Sequence, residues 1–385
     1  MSPDRMKTVA GEAITGGVAL ITGGAGFVGS HLADELLARG YRVRVLDNLS
    51  TQVHGESASR PAYLAPDVEL VRGDIRDASA VRNALRGVDA VFHFAAAVGV
   101  GQSMYEIERY TDVNNRGTAV LLEALADAPV RRLVVASSMS VYGEGLYRTP
   151  AGEVVSAGER SYEQLKRGEW EVKADDGVLS PVATPETKPA EPSSVYALSK
   201  LDQERLCLMV GRAYGMSAVA LRFFNIYGPR QALSNPYTGV LAIFASRFLN
   251  RRPPLIYEDG RQRRDFVHVR DVARACRLAL ETPQADGGVF NVGSGESRTI
   301  AGLAEEMAAA LGVDDLPAEI TGKFRVGDIR HCFADISHAE RVLGYRPRTS
   351  LGEGLEELVE WMQGQRAFDR VEDAGAELAR RGLQL

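Results

Sequence analysis

The chain is poor in cysteine: Cys207, Cys276 and Cys332 are the only three among 385 residues. They stand too far apart for a disulfide framework or a metal-ligand set, so no metal is expected and a reducing compartment is. No apolar run approaches the ~20 residues of a membrane span. Positions 1–17, MSPDRMKTVAGEAITGG, lack the apolar core of a secretory signal. A cytoplasmic protein is therefore expected. Positive charge is not in excess either. A net charge of −6 argues against general affinity for nucleic acid or an anionic membrane. No internal repeat is visible, which excludes solenoids and propellers.

What is present is alternation. Short β-branched runs, VALITGG from Val18, RVRVLD ending at Asp47, DVELVRGD ending at Asp74, AVFHFAAA from Ala90, LVVASS from Leu133 and AVALRFFN from Ala218, are separated by helical patterns such as HLADELLARG (31–40) and GTAVLLEALADA (117–128). Strand–helix alternation predicts an α/β fold with a doubly wound parallel sheet, helices on both faces, and ligands beyond the carboxyl ends of the strands. Residues 17–228 form this unit. It is interrupted at about 144–192 by a polar insertion too long for a simple loop and devoid of Cys and His. Residues 229–365 predict a smaller, mostly helical lobe interleaved with the first, and 366–385 a charged C-terminal helix.

TGGAGFVGS (22–30) follows the first predicted strand and opens a helix, with Gly23, Gly26 and Gly29 at GxxGxxG spacing. Glycine there permits a tight turn and lets a pyrophosphate approach the helix N-terminus. Asp47 ends the next strand, 18 residues past Gly29. Its carboxylate can accept from ribose hydroxyls and would repel a 2′-phosphate, which favours NAD over NADP. Asp74 and Ile75, after the third strand, would flank the adenine.

SSVYALSK (193–200) places Tyr196 and Lys200 one helical turn apart behind a serine cap, and ASSMSVYG (136–143) ends a strand. With TGGAGFVG, LDNLS, GDIRD, VFHFAA, VNNRGT, LRFFNIYGPRQ, GRQRRDFVHVRDVA and RVGDIRHCFADISHAE, in this order from about residue 18 to 350, the chain resembles the extended short-chain dehydrogenase/reductase family, in the branch acting on nucleotide sugars.

The resemblance implies a Rossmann-type NAD domain and a C-terminal substrate lobe. It makes Tyr196 the acid/base, Lys200 the cation that stabilises its phenolate and binds the nicotinamide ribose, and Ser138 the hydroxyl on the reacting oxygen. Around NAD it places Gly23, Gly26, Phe27 and Val28 at the phosphates, with Asp47, Asn48, Asp74, Ile75 and Ala95 beyond. On the nucleotide-diphosphate sugar it places Ser138, Ser140, Asn225, Arg264, Arg325, Asp328 and Cys332, with Cys332 matching the residue that sets pocket size. His93 reads as a satisfied core histidine and Asn114 as structural. Dehydratases of the family carry Asp-Glu after the serine, whereas this chain has Met139 and Ser140. The remaining machinery suits a 4-epimerase resembling the UDP-hexose 4-epimerases. A 4-ketoreductase or a dehydratase, and more remotely a non-catalytic NAD sensor, stay open. A homodimer is expected from the family and from closed symmetry.

Overall fold

The computed structural model describes residues 15–55, 59–175, 177–235, 237, 239–325, 327–365 and 368–385. Seven strands form one sheet: β1 (Val18–Thr22), β2 (Arg42–Asp47), β3 (Glu69–Arg72), β4 (Ala90–His93), β5 (Arg132–Ser138), β6 (Ser217–Phe223) and β7 (Val289–Val292). Their order is β7-β6-β5-β4-β1-β2-β3, and every neighbouring pair is parallel. The chain order reverses between β1 and β4, which opens a crevice at their carboxyl ends.

A parallel strand buried on both faces needs apolar residues in succession. β1 is VALIT, buried at all five positions. Its alternate side chains enter different layers. Ile21 packs beneath α1 (Phe27–Leu37) with Leu32 and Leu36, whereas Leu20 faces Leu121 and Leu125 of a later helix, Gly117–Asp127. That helix is labelled α2. The long α3 (Val195–Tyr214) also lies on this second face, with Cys207 in the same layer.

Beyond β6, α4 (Val240–Leu249) starts the C-terminal lobe. The chain then returns to the sheet: α5 (Val269–Glu281) packs beside α1 and leads into β7. α6 (Ile300–Leu311) and α7 (Leu351–Met362) close the lobe around Phe244, Leu303, Met307, Leu355 and Leu358.

The 144–192 segment is folded. Leu146–Arg148 is the middle strand of an antiparallel trio with Val154–Ser156 and Ser180–Val182, and a short helix, Tyr162–Lys166, lies between the last two in sequence. At the C-terminus the helix α8 (Val371–Arg380) is followed by two anchors. The Arg381 guanidinium sits over the Tyr105 ring at 4.4 Å, and Leu385 exchanges backbone hydrogen bonds with Phe324 at 2.9 and 3.0 Å. Residues 366 and 367, where the sequence predicts the start of that helix, lie outside the described residues.

Candidate active site

A cavity of about 720 Å³ runs along the carboxyl ends of β1, β2, β4, β5 and β6. Its first wall is the turn from β1 into α1. Gly23 has φ +69°, and a Cβ there would lie 2.9 Å from the Ala95 backbone. A Cβ on Gly29 would lie 2.5 Å from Gly24 Cα. These glycines let the turn close against both neighbours. Gly26 precedes α1 without any side-chain cap, so the first-turn amides, including those of Phe27 and Val28, remain available to an anion.

Asp47 is buried at the end of β2, where its two oxygens accept from the backbone N–H groups of Ala25 at 3.0 Å and Leu49 at 2.8 Å. The carboxylate is thereby fixed beside the glycine turn. Farther out, Asn48 donates to Asp74 at 3.1 Å. Arg76 grips Asp74 with Nε and Nη2, both at 2.8 Å, and holds its carboxyl far below the usual range. Arg76 was not singled out in the sequence, although GDIRD contains it. Ile75 and Ala95 also line the cavity.

Ser138 ends β5 at the middle of the cavity. The Ser140 hydroxyl donates to Ser138 Oγ at 2.8 Å, orienting it. Tyr196 lies in the first turn of α3, which Ser194 caps by accepting from the Ala197 N–H at 3.1 Å. Burial pushes the Tyr196 phenol up, and the Ser138 hydroxyl pulls it the other way. Lys200, one turn on, is 2% exposed, and burial lowers its ammonium to about 8. Its Nζ donates to Gln203 Oε1 at 2.6 Å. The sequence offered no period or motif that singles out Gln203.

Asn225 lines the cavity, and its Oδ1 is buried without a hydrogen-bond partner among the described residues. The same holds for Gln231 Oε1. Asp328 lines a second cavity of about 130 Å³ with Arg160 and Ser193. Arg264, Arg325 and Cys332 line neither cavity. The Arg264 guanidinium donates to the carbonyls of Arg263, Ile329 and Arg330. The Arg325 guanidinium lies 4.4 Å from the Tyr257 ring centre. Cys332 is buried with Met139, Tyr142 and Phe224, a placement that suits a space-filling thiol.

His93 is a satisfied core histidine: Nδ1 meets Thr22 Oγ1 and Nε2 meets Thr118 Oγ1, each at 2.8 Å, and burial lowers it to about 3. Asn114 pins the Ala97 backbone and bonds Ser199 Oγ at 2.9 Å, which ties the loop after β4 to α3.

The site joins an uncapped glycine turn, a buried carboxylate and a Ser–Tyr–Lys cluster in one cavity. The family model for the NAD dependent epimerase/dehydratase family matches residues 19–166 and 174–293. A dTDP-L-rhamnose 4-epimerase of Burkholderia thailandensis is 36% identical over 361 residues, covering 93% of this chain and 98% of that one. The structure of a UDP-glucose 4-epimerase from Thermotoga maritima with UDP-glucose has TM-score 0.73 and 32% identity, covering 90% of this chain and 98% of that one. That of a Thermus thermophilus UDP-glucose 4-epimerase in complex with NAD has TM-score 0.71 and 33% identity, covering 91% and 100%.

Proposed function

The chain belongs to the NAD-dependent epimerase/dehydratase family, and on that premise we propose that it epimerises a nucleotide-diphosphate sugar at C4 through a transient 4-keto sugar. One observation carries the choice of reaction. The acidic residues among those that line the large cavity are Asp47 and Asp74, both at the cofactor end. Beside Ser138 stand Met139 and Ser140. Dehydration needs a second proton carrier next to the reacting carbons, and a 4-epimerase needs one acid/base alone.

NAD fits the residues present. The α1 amides at Phe27 and Val28 would hold its phosphates, Asp47 a ribose, and Lys200 the nicotinamide ribose. When bound, NAD supplies the acceptor and later donor of the C4 hydride. Tyr196 takes the O4 proton and returns it. Ser138, oriented by Ser140, hydrogen-bonds the same oxygen, and Lys200 stabilises the phenolate by its charge. Asn225, which lines the large cavity, and Asp328, which lines the smaller one, are read as contacts of the nucleotide sugar. Arg264, Arg325 and Cys332 are proposed there from their motifs alone.

The sheet half is read as the NAD domain and the helical lobe as the substrate domain. A cytoplasmic homodimer completes the reading. Three buried free thiols suit a reducing compartment, and α3 leaves Leu198 and Met209 51% and 58% exposed, an apolar face that a second copy can cover.

The test is turnover in deuterated water with UDP-, dTDP-, GDP- and ADP-sugars and no added cofactor. An isomer inverted at C4, of unchanged mass and without carbon-bound deuterium, is the expected product. Loss of water, or deuterium at C3 or C5, would establish a dehydratase or 3,5-epimerase instead. A requirement for added reduced cofactor would establish the ketoreductase.

A further inference from the structure

We propose that Gln203 is the positioning residue for Lys200, holding its ammonium at the cavity floor through an oriented hydrogen-bond chain that ends beside the glycine turn. The inference rests on the reading of Lys200 given above.

An ammonium only donates, so the Gln203 atom 2.6 Å from Lys200 Nζ is the carbonyl oxygen Oε1. The amide nitrogen then points the other way, to Thr118 Oγ1 at 2.8 Å. Counting hydrogens orients the rest. Thr118 Oγ1 donates to the Asn114 carbonyl at 2.5 Å, leaving two lone pairs. Gln203 Nε2 and His93 Nε2, each 2.8 Å away, fill them. The Nε2 of His93 therefore carries its proton, and its Nδ1 accepts from Thr22 Oγ1 at 2.8 Å. Thr22 Oγ1 in turn accepts from the backbone N–H groups of Phe94 and Ala95, both at 3.2 Å. Both threonine hydroxyls are then fully used. Gln203 Nε2 and His93 Nε2, 3.1 Å apart, are two N–H groups sharing one acceptor.

The chain thus runs from Lys200 through Gln203, Thr118 and His93 to Thr22, the residue before Gly23. Gln203 and Thr118 are fully buried and Lys200 is nearly so. No water is needed to set their orientation. The Gln203 carbonyl dipole faces the ammonium and offsets part of the cost of burying it. The other titratable groups facing Lys200 are Glu204 and Cys207 on its own helix and His93 from β4, with the Tyr196 phenol one turn back on the same cavity wall. Glu204 is engaged by Arg222 at 2.7 and 2.9 Å and by Ser137 at 2.7 Å. Gln203 is the neutral acceptor nearest the charge.

The test reads Lys200 directly. The sequence has six lysines, so ε-13C-lysine NMR titration of the NAD-loaded protein resolves each signal, and Lys200→Met assigns the one in question. Gln203→Leu removes the acceptor and is expected to lower the Lys200 titration by about one unit. Gln203→Glu, nearly isosteric, places an anion there and is expected to raise it. In turnover, Gln203→Leu lowers kcat by about tenfold with little change in KM. The alkaline limb of its pH profile moves down and that of Gln203→Glu moves up. A purely structural role would move both variants in one direction or neither, and a Lys200 titration unchanged in Gln203→Glu overturns the proposal. If Gln203→Leu does not fold, Gln203→Glu alone decides. Full turnover in Lys200→Met would instead remove the catalytic reading of the lysine, whatever the titration shows.

Discussion

The seven-stranded sheet and the 144–192 insertion are held in place by opposite means. In the sheet, adjacent residues of one strand feed two apolar layers, as Ile21 and Leu20 do. The insertion has a small apolar cluster of Tyr147, Val172 and Leu179. Its attachment to the C-terminal lobe adds buried ions to the Tyr162 and Trp170 rings on Phe324 and to the backbone bonds of Thr184 with Phe333 and Asp335. Fully buried Arg330 reaches Glu171 at 2.5 Å, Glu258 at 2.8 Å and Asp259 at 2.7 and 3.0 Å. Arg160 reaches Glu258 at 2.9 Å and the Asp328 carbonyl at 2.9 Å. The Glu144 carboxylate accepts from the backbone of Arg330 and His331 and from the Tyr147 hydroxyl. Apolar layers tolerate substitution of similar volume, whereas buried ions fail when one partner is removed. The sheet can thus vary and keep its shape, while the insertion is specified by single contacts.

The largest expected effect separates chemistry from architecture. Tyr196→Phe should lower kcat by about 10³-fold or more, the scale of a lost acid/base, while NAD binding and thermal melting stay as they were. Turnover within tenfold of the parent would show that another group carries the proton. Next comes the ionic attachment. Arg330→Met leaves Asp259 without its cation and takes one partner each from Glu171 and Glu258, and should cost about 3–5 kcal/mol in chemical denaturation. Leu133→Ala in the sheet costs a similar 2–5 kcal/mol by opening a cavity. The two differ in where they act. Hydrogen exchange in Arg330→Met should accelerate in 144–192 with the sheet protected, and in Leu133→Ala across the sheet. Uniform acceleration in both would make the insertion an integral part of one cooperative unit.

The difference between the two regions is also the difference between what sequence reveals and what it hides. The sheet was legible because burial repeats along each strand, and VALIT or LVVASS shows it without knowledge of any partner. Gly23, Asp47, Ser138, Tyr196 and Lys200 stand at strand ends and helix starts that the pattern locates, and the cavity gathers all five. The ionic attachment was hidden because its partners are remote: Glu171 and Arg330 are 159 positions apart, and neither carries a local period. Gln203 escaped for a related reason. It looks like any polar residue on a long helix until His93 and Thr118 arrive from other elements. Arg264 and Arg325 matched motifs, but the carbonyls and the ring that occupy their guanidinium groups could not be read from those motifs.

A milder perturbation is expected from acid. The Glu171 carboxyl is held down to about 2, first by its hydrogen bond with His331 and then by Arg330. A lowered carboxyl stabilises the fold above its ordinary value near 4.5 and loses that contribution as pH falls toward 2. Glu171 is half-exposed and its pairing is screened, so about 1–2 kcal/mol should be at stake. Glu171→Gln should therefore be less stable than the parent at pH 6 and approach it by pH 3. A gap that is constant with pH would place the contribution in packing.

The smallest expected effect tests whether ion pairs matter in the insertion through their number or their burial. Glu169 pairs with Arg167 at 2.9 Å and Lys173 at 2.6 Å, as close as the contacts of Arg330. Its carboxyl is likewise lowered to about 2, by Arg167 first and then Lys173. All three side chains are in water, where side-chain entropy and counterions offset the attraction. Glu169→Gln should accordingly leave the melting temperature and the exchange rates of 144–192 unchanged at low and high salt. If it loosens the segment as Arg330→Met does, the surface pairs share the work of docking. If it does not, ion pairs in the insertion count only where they are buried.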